Sequence, residues 1–273
     1  MTDVLSPVRA APPPRRRGDR ARSVFRGVGE VIITLCAVLL FFVFYAVYVT
    51  DWTSAEKQDD ATTALDESWR NQRGLVDRPI EGDGIAKIYI PSFGPDFMFT
   101  VLEGTAPDTL EAGPGHYVET AMPGQPGNFA VAGHRVGKGS PFNDLDLLSS
   151  CDTIVVETAD QWFVYRVLPL RGEADDWATG KGATPQCAGV DPLPRPYADV
   201  IGKQIVLPSQ DEVIAPVPGQ PDVEPSGDRN QLITLTTCHP QFSARERLIV
   251  HGVLVNQYPK VQGQRPAELA AGL

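Results

Sequence analysis

The sequence predicts an all-β domain, a barrel or sandwich of about eight short strands, carried behind an N-terminal transmembrane helix. Three observations lead there. From Gly84 onward, apolar runs of four to nine residues alternate with turns containing Gly and Pro. Residues 31–50, VIITLCAVLLFFVFYAVYVT, contain no charged side chain. Charge is split across that run: Arg9, Arg15, Arg16, Arg17, Arg20, Arg22 and Arg26 precede it, and Asp51, Glu56, Asp59 and Asp60 follow.

Taken in order, residues 1–28 are rich in Pro, Ala and Arg and lack a hydrophobic period, which predicts a disordered cytoplasmic tail. Residues 29–50 read as a transmembrane signal-anchor helix. At about 1.5 Å per residue, some twenty residues cross a hydrocarbon core of about 30 Å, and the polar face of a soluble core helix is missing. A cleaved signal peptide would have a shorter apolar region, about 7–15 residues, ending in a small-residue site. The positive-inside rule puts the N-terminus in the cytoplasm and everything after Thr50 outside the cell, in a single-pass membrane protein. Cys36, in mid-segment, reads as a membrane-buried structural residue.

Residues 51–80 are polar, with weak helical character at 61–69, and read as an extracellular stalk. Strands are then expected at 85–90, 97–102, 128–132, 153–158, 162–170, 204–207, 231–237 and 248–255, within a catalytic domain spanning 81–258 and ahead of a C-terminal tail, 259–273. Residues 142–148 supply one or two helical turns. The stretch from Gly172 to Gly202, rich in Gly, Pro and Asp, is longer than loops of compact domains usually run. It is either the border of a cleft or a solvated surface excursion.

Net charge is −10. The first thirty residues hold seven arginines against Asp3, Asp19 and Glu30, so the rest carries −14. Such a domain is no nucleic-acid binder and is not drawn to anionic lipid; its acidity serves solubility.

Chemistry concentrates in Leu232-Ile233-Thr234-Leu235-Thr236-Thr237-Cys238-His239-Pro240, followed by Arg247-Leu248-Ile249-Val250-His251. A cysteine at a strand end is presented to solvent on a fixed backbone, as a nucleophile requires. Outside the membrane there are three cysteines, so one thiol stays free unless two molecules are joined. The simplest arrangement pairs Cys151 with Cys187 and frees Cys238; the alternative is two buried, inert thiols. A thiol with an ordinary pKa of about 8.5 is only slightly ionised at neutral pH, so it needs a histidine or arginine nearby. His134 is the strongest candidate, delivered by the strand Phe129–Ala132 through Gly133 into a loop. His239 adjoins Cys238 but points elsewhere as the next residue, His251 reads as a core residue, and His116 has no assigned role. Arg247 stays protonated and suits an oxyanion or peptide carbonyl, with Arg245 its competitor.

Together, the Thr-Leu-Thr-Thr-Cys run ending at Cys238, the Arg247–Val250 strand and Ala132-Gly133-His134-Arg135 resemble a sortase, a membrane-anchored cysteine transpeptidase of Gram-positive bacteria. The resemblance covers roughly residues 84–258 and implies a sortase-like closed β-barrel with short helices. It implies that Cys238 attacks the threonine carbonyl of a C-terminal sorting signal to form a thioester. By the same likeness His134 protonates the leaving amine and deprotonates the incoming one, Arg247 holds the oxyanion, and Thr237 lines the site. Implied partners are secreted proteins bearing such a signal, a peptidoglycan precursor amine of the lipid II type, and membrane lipid through residues 31–50. Gly115-His116-Tyr117 and Thr-Cys-His-Pro are most similar to class E enzymes of actinobacteria, which prefer LAxTG to LPxTG, and this makes Tyr117 a selectivity residue. The Gly172–Gly202 stretch departs from the family pattern.

Two alternatives share these residues: a hydrolase in which water takes the thioester, and a membrane-tethered peptide-binding module with an inert Cys238. No cofactor is expected. Metal catalysis is disfavoured because the histidines lack ligand spacing and the cysteines form no C-x-x-C pair.

Overall fold

Along Gln231–His239, Ile233 and Leu235 join the main core while Thr234 and Thr236 point the other way. This period of two is repeated by the aliphatic runs around it, and it curls the sheet around one apolar interior. The computed structural model describes residues 17–45, 50–71, 79–225 and 231–270, and the chain divides into two units, Met1–Val47 and Tyr48–Leu273.

In the first unit α1 runs from Arg17 to Phe44, and its stretch Arg22–Phe44 is long and apolar enough to cross a membrane. Residues 17–28, expected to be disordered, are helical instead. A helix already nucleated by the apolar run extends cheaply through Ala and Arg, and Arg26 and Glu30 pair one turn apart at 3.0 Å. The expected tail over 1–16 lies outside the described residues, as do 46–49 of the expected span.

Among its described residues the second unit contains nine strands: β1 (Gly84–Tyr89), β2 (Met98–Glu103), β3 (Gly115–His116), β4 (Gly127–Ala132), β5 (Thr153–Glu157), β6 (Gln161–Val167), β7 (Lys203–Val206), β8 (Gln231–His239) and β9 (Glu246–Pro259). Their order is β6-β5-β1-β2-β3-β4-β8-β9, and β6 pairs again with β9, closing an eight-stranded barrel. The 14-residue β9 makes that closure possible: its first half pairs with β7 and its second half with β6. Closure leaves those eight strands without a bare edge. Two pairings, β2–β3 and β4–β8, are parallel. The interior is filled by Ile88, Val101, Phe129, Val131, Ile233 and Leu235 among others.

Residues 51–70 of the expected stalk are packed on the barrel instead. Thr50–Arg70 is a helix, α2, packed on β1, β2 and the short helix α3 (Pro107–Ala112). Its inner face is mostly polar. Gln58 donates to the carbonyls of Thr100 and Ala112 and accepts the Thr100 amide, while Thr62 meets the Thr100 hydroxyl at 2.7 Å. Leu65 adds an apolar contact and is only 3% exposed. Asp66 pairs with Lys87 of β1 at 2.6 Å. Residues 72–78 of the expected stalk lie outside the described residues.

The Gly172–Gly202 stretch is a mostly exposed surface excursion, as one of the two readings expected, but it is fastened to the barrel at several points. Cys151 and Cys187 form a disulfide with Cα atoms 5.0 Å apart. Beside it lie the buried Trp177 and Val190, with the indole N–H donating to the Val190 carbonyl at 2.8 Å. Tyr197 and Val200 pack with Leu168 and Leu232. The C-terminal segment ends in a one-turn helix, α4 (Ala267–Ala270).

Candidate active site

Three adjacent strands, β4, β8 and β9, bring the chemistry together. In the antiparallel β8–β9 ladder Cys238 stands opposite Arg247. In the parallel β4–β8 ladder Ala132 is level with Thr236, the last partners in register, and His134 follows two residues beyond. Partners in register share a face, so Cys238 and Arg247 stand side by side on the sheet, and His134 leaves the neighbouring strand two residues past its last partner. The rows beneath are Ala132–Thr236–Ile249 and Ala130–Thr234–His251.

The His134 end of β4 is tied directly to β8. The Gly133 amide donates to the Thr236 carbonyl at 3.0 Å, and the Thr237 hydroxyl donates to the Gly133 carbonyl at 2.8 Å. Thr237 is buried, and its hydroxyl therefore positions the peptide before His134. A Cβ at Gly133 would stand 2.5 Å from the Phe142 ring, so only glycine lets that ring seal the strand end. The loop closes when the Phe142 amide donates to the His134 carbonyl at 3.1 Å.

His134 is half-buried, and its Nε2 is buried with no hydrogen-bond partner among the described residues. Burial, with a smaller contribution from Lys138, holds its pKa below the ordinary value, partly opposed by Glu111. The ring is therefore neutral at neutral pH. Cys238 is a free, partly exposed thiol. Arg247 donates through Nη1 to the carbonyls of Ala244 and Glu246, at 3.1 and 3.0 Å. The hairpin thus fixes the guanidinium by one nitrogen and leaves its other donors for a substrate oxygen. Arg245 precedes β9 and is exposed in the loop, outside the row.

Tyr117 follows β3 directly, and its hydroxyl lies 3.0 Å from that of Thr236, one row below Cys238. His116 is buried and contacts the Glu103 carboxylate at 2.9 Å and the Thr120 hydroxyl at 2.9 Å. Thr120 donates in turn to the Tyr117 carbonyl at 2.7 Å.

His251 is buried in a polar chain on the same sheet face. Thr234 donates to Asn128 Oδ1 at 2.7 Å, so it must accept from His251 Nδ1–H at 2.8 Å. Gln204 Nε2–H then donates to His251 Nε2 at 3.2 Å. Asn128 donates to the carbonyls of Ile214 and Ala215 at 3.1 and 3.2 Å, holding that segment over the sheet. Burial drives the His251 pKa down to about 4, so the ring stays neutral and structural.

Sequence reasoning overlooked the contacts of Arg135 and His239. Arg135 is 4% exposed; it donates to His239 Nδ1 at 2.8 Å and pairs with Asp146 at 2.9 Å. Its place directly after His134 was the available signal, but an arginine among glycines reads as a solvated loop charge.

A family model, "Sortase domain", matches residues 88–255. The chain is 32% identical over 265 residues to sortase SrtE1 of Streptomyces coelicolor, covering 92% of this chain and 65% of that protein. It therefore spans just under two thirds of that relative's length. The solved SrtF sortase from Corynebacterium diphtheriae is 45% identical with a TM-score of 0.61, over 70% of this chain and 94% of that one. Sortase E from Streptomyces avermitilis is 34% identical with a TM-score of 0.50, over 70% of this chain and 99% of that one.

Proposed function

The chain belongs to the sortase family, and from that premise we propose that it is a class E-type cysteine transpeptidase anchored in the cell membrane by residues 31–50. Its N-terminus lies in the cytoplasm and its barrel outside, as the flanking charges direct. It cleaves the C-terminal sorting signal of secreted proteins between Thr and Gly and passes the acyl group to a peptidoglycan precursor amine. The observation that carries this reading is the Cys238–Arg247 pair in the β8–β9 ladder, with His134 leaving the adjacent β4 two residues past its last partner on β8.

The steps use these three residues. Cys238 Sγ bonds to the threonine carbonyl carbon as its proton passes to His134, whose buried Nε2 has no competing partner among the described residues. The negative charge developing on the carbonyl oxygen is met by the donors of Arg247 not committed to its own hairpin. The tetrahedral intermediate collapses, the C–N bond breaks, and His134 returns the proton to the leaving glycine amine. A thioester remains. An incoming amine attacks it, His134 takes the amine's proton, and the proton returns to Cys238 as the thiolate leaves. Tyr117 contacts the residues preceding Thr and so discriminates LAxTG from LPxTG, a role supported by its hydroxyl lying 3.0 Å from that of Thr236, two residues before Cys238.

The test incubates the full chain in detergent micelles with LAxTG and LPxTG peptides and an amine acceptor, then identifies products by mass. The expected result is Thr–Gly cleavage with transfer to the amine, LAxTG preferred, and no product from Cys238→Ala. Products unchanged by Cys238→Ala would overturn the reading. Hydrolysis without transfer would replace transpeptidation with a hydrolase.

A further inference from the structure

The nucleophile and the base belong to segments separated by more than a hundred residues, and one buried side chain joins them. Arg135, directly after His134, sends Nη1 to His239 Nδ1 at 2.8 Å and to the Cys238 carbonyl at 3.5 Å. Its Nη2 meets Asp146 at 2.9 Å. Asp146 lies in the turn Leu145–Leu147, which Lys203 of β7 pins through the carbonyls of Asp146 and Leu148 at 2.6 and 2.7 Å. The guanidinium is thus held from the sheet edge on one side and grips the end of β8 on the other.

We propose that Arg135 is a positioning residue, which through His239 and Asp146 sets the separation between His134 and Cys238. The proposal rests on the transpeptidase reading above and adds to it a third fixed point. The ladder bonds at Gly133 hold the backbone on one side of His134, and Arg135 holds the chain on the other, beyond the last paired residue. A guanidinium only donates. His239 must therefore accept at Nδ1, which makes it the Nε2–H tautomer and gives it a defined task one residue after the nucleophile. A displacement of about 1 Å between reacting groups costs on the order of 10²-fold in rate, which is the scale of the effect such a clamp controls.

The test compares Arg135→Gln, His239→Leu and His239→Asn with wild type as full chains in micelles. Asn Oδ1 reproduces the position and acceptor character of His Nδ1, whereas Leu fills space without accepting. For Arg135→Gln, kcat falls on the order of 10²-fold with little change in KM. His239→Leu falls in the same direction, and His239→Asn stays near wild type. Amide hydrogen exchange provides a substrate-independent arm: Arg135→Gln and His239→Leu accelerate exchange at 134–142 and 236–241, and His239→Asn does not. An Arg135→Gln enzyme with wild-type kcat, or an Asn variant as impaired as the Leu variant, would overturn the proposal. If wild type turns over neither peptide, the proposed function fails and exchange alone decides: unchanged exchange in Arg135→Gln then overturns the clamp, and acceleration spared by His239→Asn upholds it.

Discussion

Cys238 and His134 owe their visibility in the sequence to strand chemistry. Each follows a β-forming run, at the point where a side chain leaves the ladder while its backbone stays fixed. What the sequence hides are the neighbours that make these positions exact, because Arg135 and His239 meet only when β4 and β8 lie side by side. The two histidines left without catalytic roles are likewise explained by contacts distant in sequence: His116 with Glu103, and His251 with Thr234 and Gln204. His251 carries a stability consequence. Its pKa is about 4 in the folded barrel and about 6.5 in an unfolded chain. As pH falls below 6.5 the unfolded state takes up the proton first, so stability declines down to about pH 4 and then levels off. The expected loss from this group is about 3 kcal/mol. Denaturant unfolding between pH 7 and 4 checks it: His251→Gln, whatever its absolute stability, shows a shallower decline than wild type. Equal slopes would remove His251 as the cause.

At the scale of elements, all eight apolar runs correspond to strands, since alternation and turn residues are local signals. The missed strand, β3, has only two residues and too little pattern to register. The misread of 51–80 is more instructive. A packed helix ordinarily shows an apolar stripe, but the inner face of α2 consists of Ser54, Gln58, Thr62 and Leu65, with Gln58 acting as a surrogate peptide for Thr100 and Ala112. Hydrogen bonding replaces much of the hydrophobic contact, and the sequence then looks like a solvated tether. α2 also reaches the site, because Asp51 accepts the Gly139 amide at 3.1 Å within the loop that follows His134. Leu65→Ala separates the two descriptions. For the packed helix it costs about 2–5 kcal/mol, measured as a lowered denaturant midpoint; a free stalk would show a change within about 0.5 kcal/mol.

At the scale of the whole molecule, the barrel brings Cys238 and Arg247 together in one ladder beside the end of β4 and secures the surroundings by separate means. Closure through β6–β9 fixes the frame, the Cys151–Cys187 bridge fastens the long excursion, and the Asn128–Thr234–His251 chain holds the segment at Ile214 over the sheet. The disulfide was approachable by counting cysteines, but the packing of Trp177 and Tyr197 was not, because a Gly- and Pro-rich stretch carries no period to show which aromatics turn inward. The apolar helix and its flanking charges were legible throughout, being matters of composition alone. In the proposed function a thioester is made and broken at Cys238 with the help of His134 and Arg247. The most direct measurement is peptide mapping by mass of the full chain quenched in acid during turnover of an LAxTG peptide without an amine acceptor. The expected result is an acyl adduct ending in threonine on the Cys238 peptide, absent in Cys238→Ala, sharply reduced in His134→Ala and discharged by added amine. Cleaved peptide with no adduct on Cys238, or an adduct on another residue, would contradict it.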